Sequence, residues 1–358
     1  MSRQRKFALR SVDVRRNLDV FLVCAVASVL GNRAFLIATG YPQVGNGTLH
    51  ISHAIWGALM LAVAVIAAIS YLTPSVRLFV AFLGGAGFGW FIDELGKFIT
   101  RKVNYFFQPT IALIYIVFIT MYLVFRSIAG RAFTADEAVL NGLEAVKAAS
   151  LGRLDETRRR EALQGIVSSH ASGSVADHVV ALLRDVPALP PRQRGPWQTR
   201  GDRARSWYRR TTERPGFARL VSAIFVVLAL YTFASAFVVA FDHSSIRGFS
   251  EWASVVSGTV AGVLIIIGAI RLPRSRVAGY RWFERGMLVN ILVTQVFVFE
   301  QRQLAGLPTL VFDVVLWLMA AAALRAERER AVLAGDTDRD AAHPLDGDQA
   351  SREVRAVP

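Results

Sequence analysis

Eight runs of about 20 predominantly apolar residues leave this chain few folds to choose from. They fall near 19–40, 52–72, 77–99, 108–126, 218–241, 252–271, 283–303 and 307–325. A run of that length matches the hydrocarbon core of a bilayer, where backbone groups must bond one another and a helix satisfies them all. The expected fold is therefore all-α: a polytopic membrane bundle of about eight transmembrane helices. The 53% apolar content of the 358 residues agrees,.

The net charge of +14 raises nucleic acid as a partner, but the basic residues sit between the apolar runs, as the positive-inside rule expects. No basic stripe interleaved with aromatics lies on a soluble fold, so the reading has no nucleic-acid partner and a lipid bilayer in its place. Only four of the 41 basic residues are Lys, a bias that suggests a GC-rich bacterial genome. The single cysteine, Cys24, excludes an internal disulfide and a cysteine zinc cluster,. The first apolar run lacks a convincing cleavage site and is expected to stay as an uncleaved helix.

The charge pattern predicts orientation. Arg3, Arg5, Lys6, Arg10, Arg15 and Arg16 place the arm 1–18 in the cytoplasm,. The first four-helix membrane half, 19–129, and the second, 218–325, then begin and end inside, and the tail 326–358 is cytoplasmic and expected to be disordered. The predicted address is the bacterial inner membrane. One short connection breaks the rule: Arg101 and Lys102 fall outside.

Between the halves lies a polar cytoplasmic insert with a basic linker, 130–217. Thr134-x-x-Glu137 is a capping-box pattern opening a helix to about Ser150,. Further helical patterns follow near 155–169 and 174–186, before PALPPRQRGP breaks the chain,. Trp197–Arg214 mixes Trp197, Trp207 and Tyr208 with Arg, a composition suited either to anionic inner-leaflet lipids or to a solvated linker,. The insert itself offers a contact for a protein partner.

The halves carry matching punctuation. A shift of 199 residues lays Pro74 on Pro273, Arg77 on Arg276, Pro109 on Pro308, Thr110 on Thr309 and Arg126 on Arg325. Both halves would start and end inside, so the expected repeat is a parallel 4+4 arrangement.

Ionisable groups inside spans are costly and tend to face a bundle interior or a wet cavity. They collect toward the predicted outer side, which points to an outward-facing polar pocket formed by Arg33, His50, His53, Asp93, Glu94, Lys97 and Asp313. His50-x-x-His53 would share a helical face and, with Asp93, form a candidate metal site of two imidazoles and a carboxylate. Interfacial capping is the blander role for the same histidines. Asp93 and Lys97 are spaced to pair along one helix. Arg33 has Asp93, Glu94 and Asp313 as candidate partners across helices. Gly85-x-x-x-Gly89 fits close helix packing and not a nucleotide loop, because no strand precedes it and no Gly-Lys-Ser/Thr follows.

The stretches GFGWFIDELGKFIT, NYFFQP and GYRWFERGMLVNILVTQVFVFEQ resemble uncharacterised multispanning integral membrane proteins of actinobacteria. That resemblance implies a membrane architecture and a bacterial host, and transfers no catalytic residue. The sequence leaves three functions open. They are a transporter or proton-coupled carrier, a membrane or metal-dependent enzyme at the outer leaflet, and a sensor or assembly protein. It names no cofactor.

Overall fold

In the computed structural model the described residues are 8–40, 45–46, 49–50, 52–99, 109–190, 203, 206, 210–211, 214, 216–217, 220–228 and 248–342. They belong to two compact units, Met1–Thr199 and Arg200–Pro358.

The first unit holds α1 (Val14–Thr39), α2 (His53–Ser70), α3 (Pro74–Asp93), α4 (Leu95–Ile99), α5 (Thr110–Ala129), α6 (Ala135–Ser150), α7 (Glu156–Ser168) and α8 (Ser174–Asp185). Between α1 and α2, β1 (Gly45–Asn46) pairs antiparallel with β2 (Leu49–His50). Helices α1, α2, α3 and α5 are long and apolar enough to cross a membrane.

Helix α3 lies between α1 and α2, and its glycines are what allow that. A Cβ on Gly85 would collide with the Phe21 carbonyl oxygen, and one on Gly89 with that of Ala25. On the other side Gly57 and Gly87 cross: a Cβ on either would stand 2.6 or 2.7 Å from the other's carbonyl oxygen. The small residues Ala54, Gly57, Ala64 and Ala67 of α2 are buried, whereas Ile69 of the same helix is 78% exposed. Small residues inside and large apolar residues outside invert the soluble pattern and suit a lipid surround, where packing and not water exclusion holds helices together.

Helices α6–α8 form a small bundle around Ala145, Leu154, Ile166, Val179 and Leu183. The capping box opens α6 as expected, with both the Thr134 and Glu137 bonds present. This bundle is fastened to one end of the long apolar helices. Arg10 Nε and Nη2 reach Glu137 at 2.8 and 2.7 Å, and its guanidinium also donates to the carbonyls of Ile128, Arg131 and Ala132. Asn141 bonds the arm backbone at Arg10 and Val12. Arg77 pairs with Glu144 at 3.1 Å, and Lys147 Nζ donates to the Leu72 carbonyl.

The Arg10 guanidinium, more than burial or the Thr134 amide, sets the charge state of Glu137 and holds its carboxyl down at about 2. Because that value lies below the ordinary 4.5, the stability it contributes is complete above 4.5 and drains away as pH falls through about 2,. The wild-type contact is expected to lose on the order of 3 kcal/mol across that window. Arg10→Gln should move the loss of amide-exchange protection in 134–150 up toward the ordinary carboxyl range. Protection of that variant down to pH 3 equal to wild type would contradict this account.

The second unit contains helical residues 220–228, α9 (Phe249–Arg271), α10 (Arg276–Val289), a π turn (Asn290–Thr294), α11 (Gln295–Arg302), a 3-10 turn (Gln303–Gly306) and α12 (Leu307–Ala342). Its core stacks Phe225 on Phe283 with ring centroids 4.3 Å apart, and joins the Ser222 and Tyr280 hydroxyls at 3.0 Å. Two stretches are apolar and long enough to cross a membrane, Phe249–Arg271 and the 53-residue Arg276–Arg328.

The longer stretch is a hairpin. Arg276 meets Glu327 at 3.4 Å, Asn290 meets Asp313 at 2.8 Å, and Gln295 meets the Gly306 carbonyl at 2.8 Å. The chain reverses at Gln303, which takes φ 50°.

Among the described residues six stretches thus are long and apolar enough to cross a membrane, against the eight spans expected. The expected spans 283–303 and 307–325 are the two legs of the hairpin, and much of 218–241 lies outside the described residues. The expected third span is not one helix: α3 stops at Asp93, Glu94 is a turn residue, and α4 restarts at Leu95. The tail expected to be disordered from 326 is helical to Ala342, in keeping with the strong helix formers Ala, Glu, Arg and Leu there. Most of Trp197–Arg214, including its aromatics, lies outside the described residues, as do Arg101 and Lys102.

Candidate functional site

Three helices of the first unit bring polar side chains together at the end remote from α6–α8. Helix α3 supplies Asp93 as its last residue and Glu94 as the turn that follows; their side chains are each only 2% exposed. Helix α1 supplies Asn32 and Arg33, adjacent in sequence and directed at the same carboxylate. Helix α2 begins at His53, with Ser52 as its cap accepting a bond from the Ala54 amide. Capping fixes the first turn, and with it the place of the imidazole.

Arg33 Nε donates to Asp93 Oδ1 at 2.6 Å and Nη2 to the Asp93 carbonyl at 3.3 Å. Asn32 Nδ2 donates to Asp93 Oδ2 at 2.8 Å. His53 Nδ1 lies 3.0 Å from Glu94 Oε1. Its Nε2 lies 3.4 Å from Asp93 Oδ2, within ion-pair reach but without hydrogen-bond geometry. The carboxylates are covered, whereas Arg33 and His53 are each 24% exposed and form the accessible rim.

The geometry sets one imidazole between two covered carboxylates. Both ring nitrogens of His53 face carboxylate oxygens, and a neutral imidazole has only one N–H to offer. A neutral ring can donate from Nδ1 to Glu94 and leave Nε2 bare beside Asp93, whereas a doubly protonated ring would present an N–H toward each acid.

Of the residues expected in one pocket, Arg33, His53, Asp93 and Glu94 come together. His50 departs from expectation. It lies in β2, off the helix that Ser52 caps at His53, so the two histidines share no helical face; its side chain is outside the described residues. The expected pairing of Asp93 with Lys97 falls on a side chain outside the described residues, beyond the turn at Glu94 that separates α3 from α4. Lys97 belongs to α4, and its side chain is outside the described residues. Asp313 belongs to the second unit, where Asn290 Nδ2 donates to it. Among the described residues no three His, Cys, Asp or Glu side chains converge on a metal-sized point.

Asn32 was not singled out from the sequence as a ligand of Asp93, although its position next to Arg33 in an apolar run was the available signal. Asn290 and Gln295 carried a similar one, lone amides in a span, legible only once the hairpin register is known.

No protein-family profile, no curated protein and no solved structure matches the chain.

Proposed function

We propose that this chain is an eight-span protein of the bacterial inner membrane, with both termini cytoplasmic, acting as a proton-coupled carrier. The observation that carries the reading is His53 set between the buried acids Asp93 and Glu94, at an interruption of the third helix and against Arg33. A group that takes and gives one proton beside an exposed rim is what coupling needs.

A second observation favours transport over a scaffold. Carriers commonly break corresponding helices in two halves. Under the 199-residue shift, the break at Asp93–Leu95 falls on 292–294, within the π turn Asn290–Thr294. Gly87 falls on Gly286, and each touches the preceding membrane helix, at Gly57 and Ala261. These agreements support the parallel 4+4 repeat.

The test uses liposomes containing the purified protein and a pH-sensitive dye, screened against pools of amino acids, sugars, nucleosides and organic ions. The expected result is a solute that shifts lumen pH with wild type, with the rate reduced about 100-fold in Glu94→Gln. A solute transported with no pH change would remove proton coupling. A complete screen in which nothing moves would remove the carrier reading.

A further inference from the structure

The second unit contains a buried acid that nothing so far uses. Asp313 of α12 is 4% exposed, and Asn290 is its hydrogen-bond partner. Among the described residues no cationic side chain stands within ion-pair reach of it. A carboxylate at membrane depth without a counter-charge is expensive, and such groups mark ion or proton paths.

Its one described polar contact is neutral, the side-chain amide of Asn290. Asn290 opens the π turn, and Thr294 closes it one turn further along the same leg. Thr294 packs toward Gly258 of α9, and its hydroxyl oxygen is buried without a hydrogen-bond partner. The turn itself departs from the α-helical ladder, with the Gln295 amide bonding back to the Asn290 carbonyl. Turns of this kind recur at functional sites because they redirect backbone groups. Gln295, 1% exposed, pins the far end of the turn by donating to the Gly306 carbonyl, so the leg holding Asn290 and Thr294 is fixed against the leg holding Asp313.

We propose that Asp313, Asn290 and Thr294 form a binding site for a sodium ion. Carboxylate, amide and hydroxyl oxygens are the ligands hard cations take. One carboxylate among neutral donors balances one unit of positive charge, which selects a monovalent ion over a divalent one. Asn290, turned over about its amide, presents Oδ1 beside the carboxylate it now donates to. This site does not depend on the carrier reading, because its groups come from the second unit alone.

The experiment is a sodium titration of the thermal unfolding of the full-length protein in detergent, with choline chloride holding ionic strength constant. Trp317, one helical turn from Asp313, gives a fluorescence signal from the same place. Wild type is expected to show a saturable rise in Tm of about 3 °C at 100 times the dissociation constant. Asp313→Asn should abolish the rise. Thr294→Val and Asn290→Ala should raise the half-saturating sodium concentration at least tenfold, and they decide the matter if the Asp313 variant does not fold. A flat wild-type response, a response to pH but not to sodium, or sodium dependence surviving in these variants overturns the proposal.

Discussion

Asp93→Ala is expected to destabilise the first unit by about 3–5 kcal/mol, the cost typical of breaking a buried ion pair from one side. The acid receives Arg33, Asn32 and His53 at once. Its removal takes from the half-buried Arg33 guanidinium its ion-pair partner and leaves Asn32 and His53 without the carboxylate they face. The companion measurement separates this cost from any worth of the pair itself. Replacing Asp93 and Arg33 together, as Asp93→Leu with Arg33→Met, should cost less than Asp93→Ala alone, since no charge is then abandoned. Thermal unfolding in detergent reads both. A double variant as damaged as the single one would mean that the cluster acts through packing and not charge.

Gly85→Ala and Gly89→Ala are expected to be strongly disruptive single-methyl changes, with the closest backbone clashes among the described glycines. Each would drive a Cβ into a backbone carbonyl of α1, at Phe21 and Ala25, and backbone cannot swing aside as a side chain does. Relief requires α1 and α3 to separate, at an expected cost of about 3 kcal/mol or more per site. Gly31→Ala is the control. Nothing lies within 4 Å of a Cβ there, and in a helix the change should be neutral or stabilise by up to about 1 kcal/mol. Equal losses at 31, 85 and 89 would show that glycine acts through flexibility and not through close approach.

What was legible in the sequence depended on how local its cause is. The spans follow from apolar length, the start of α6 from Thr134 and Glu137, and the seam between α1 and α3 from Gly85-x-x-x-Gly89. Each is decided within a few residues. The interruptions at Glu94 and Asn290–Thr294 were not legible, because neither carries a proline, and the glycine next to the first, Gly96, comes after the break. They depend on which side chains meet across helices. Four members of the expected polar cluster were found because charges inside apolar runs are conspicuous. The misplacement of His50 came from reading spacing before capping. Ser52 was the better guide, since a serine cap starts the helix after itself and leaves His50 outside,.

The clasp between Arg10 and Glu137 also has a history in time. The two residues are 127 positions apart, and at about 5–20 residues per second the acid is made about 6–25 seconds after the base. During that interval four apolar helices leave the ribosome while Arg10 has none of its eventual partners. In the topology proposed above, its charge is then free to hold the amino terminus on the cytoplasmic side, as the positive-inside rule expects. Only when α6 emerges is the arm locked. On that proposed topology one arginine would serve first as a topological signal and afterwards as a structural fastener, with the order set by synthesis.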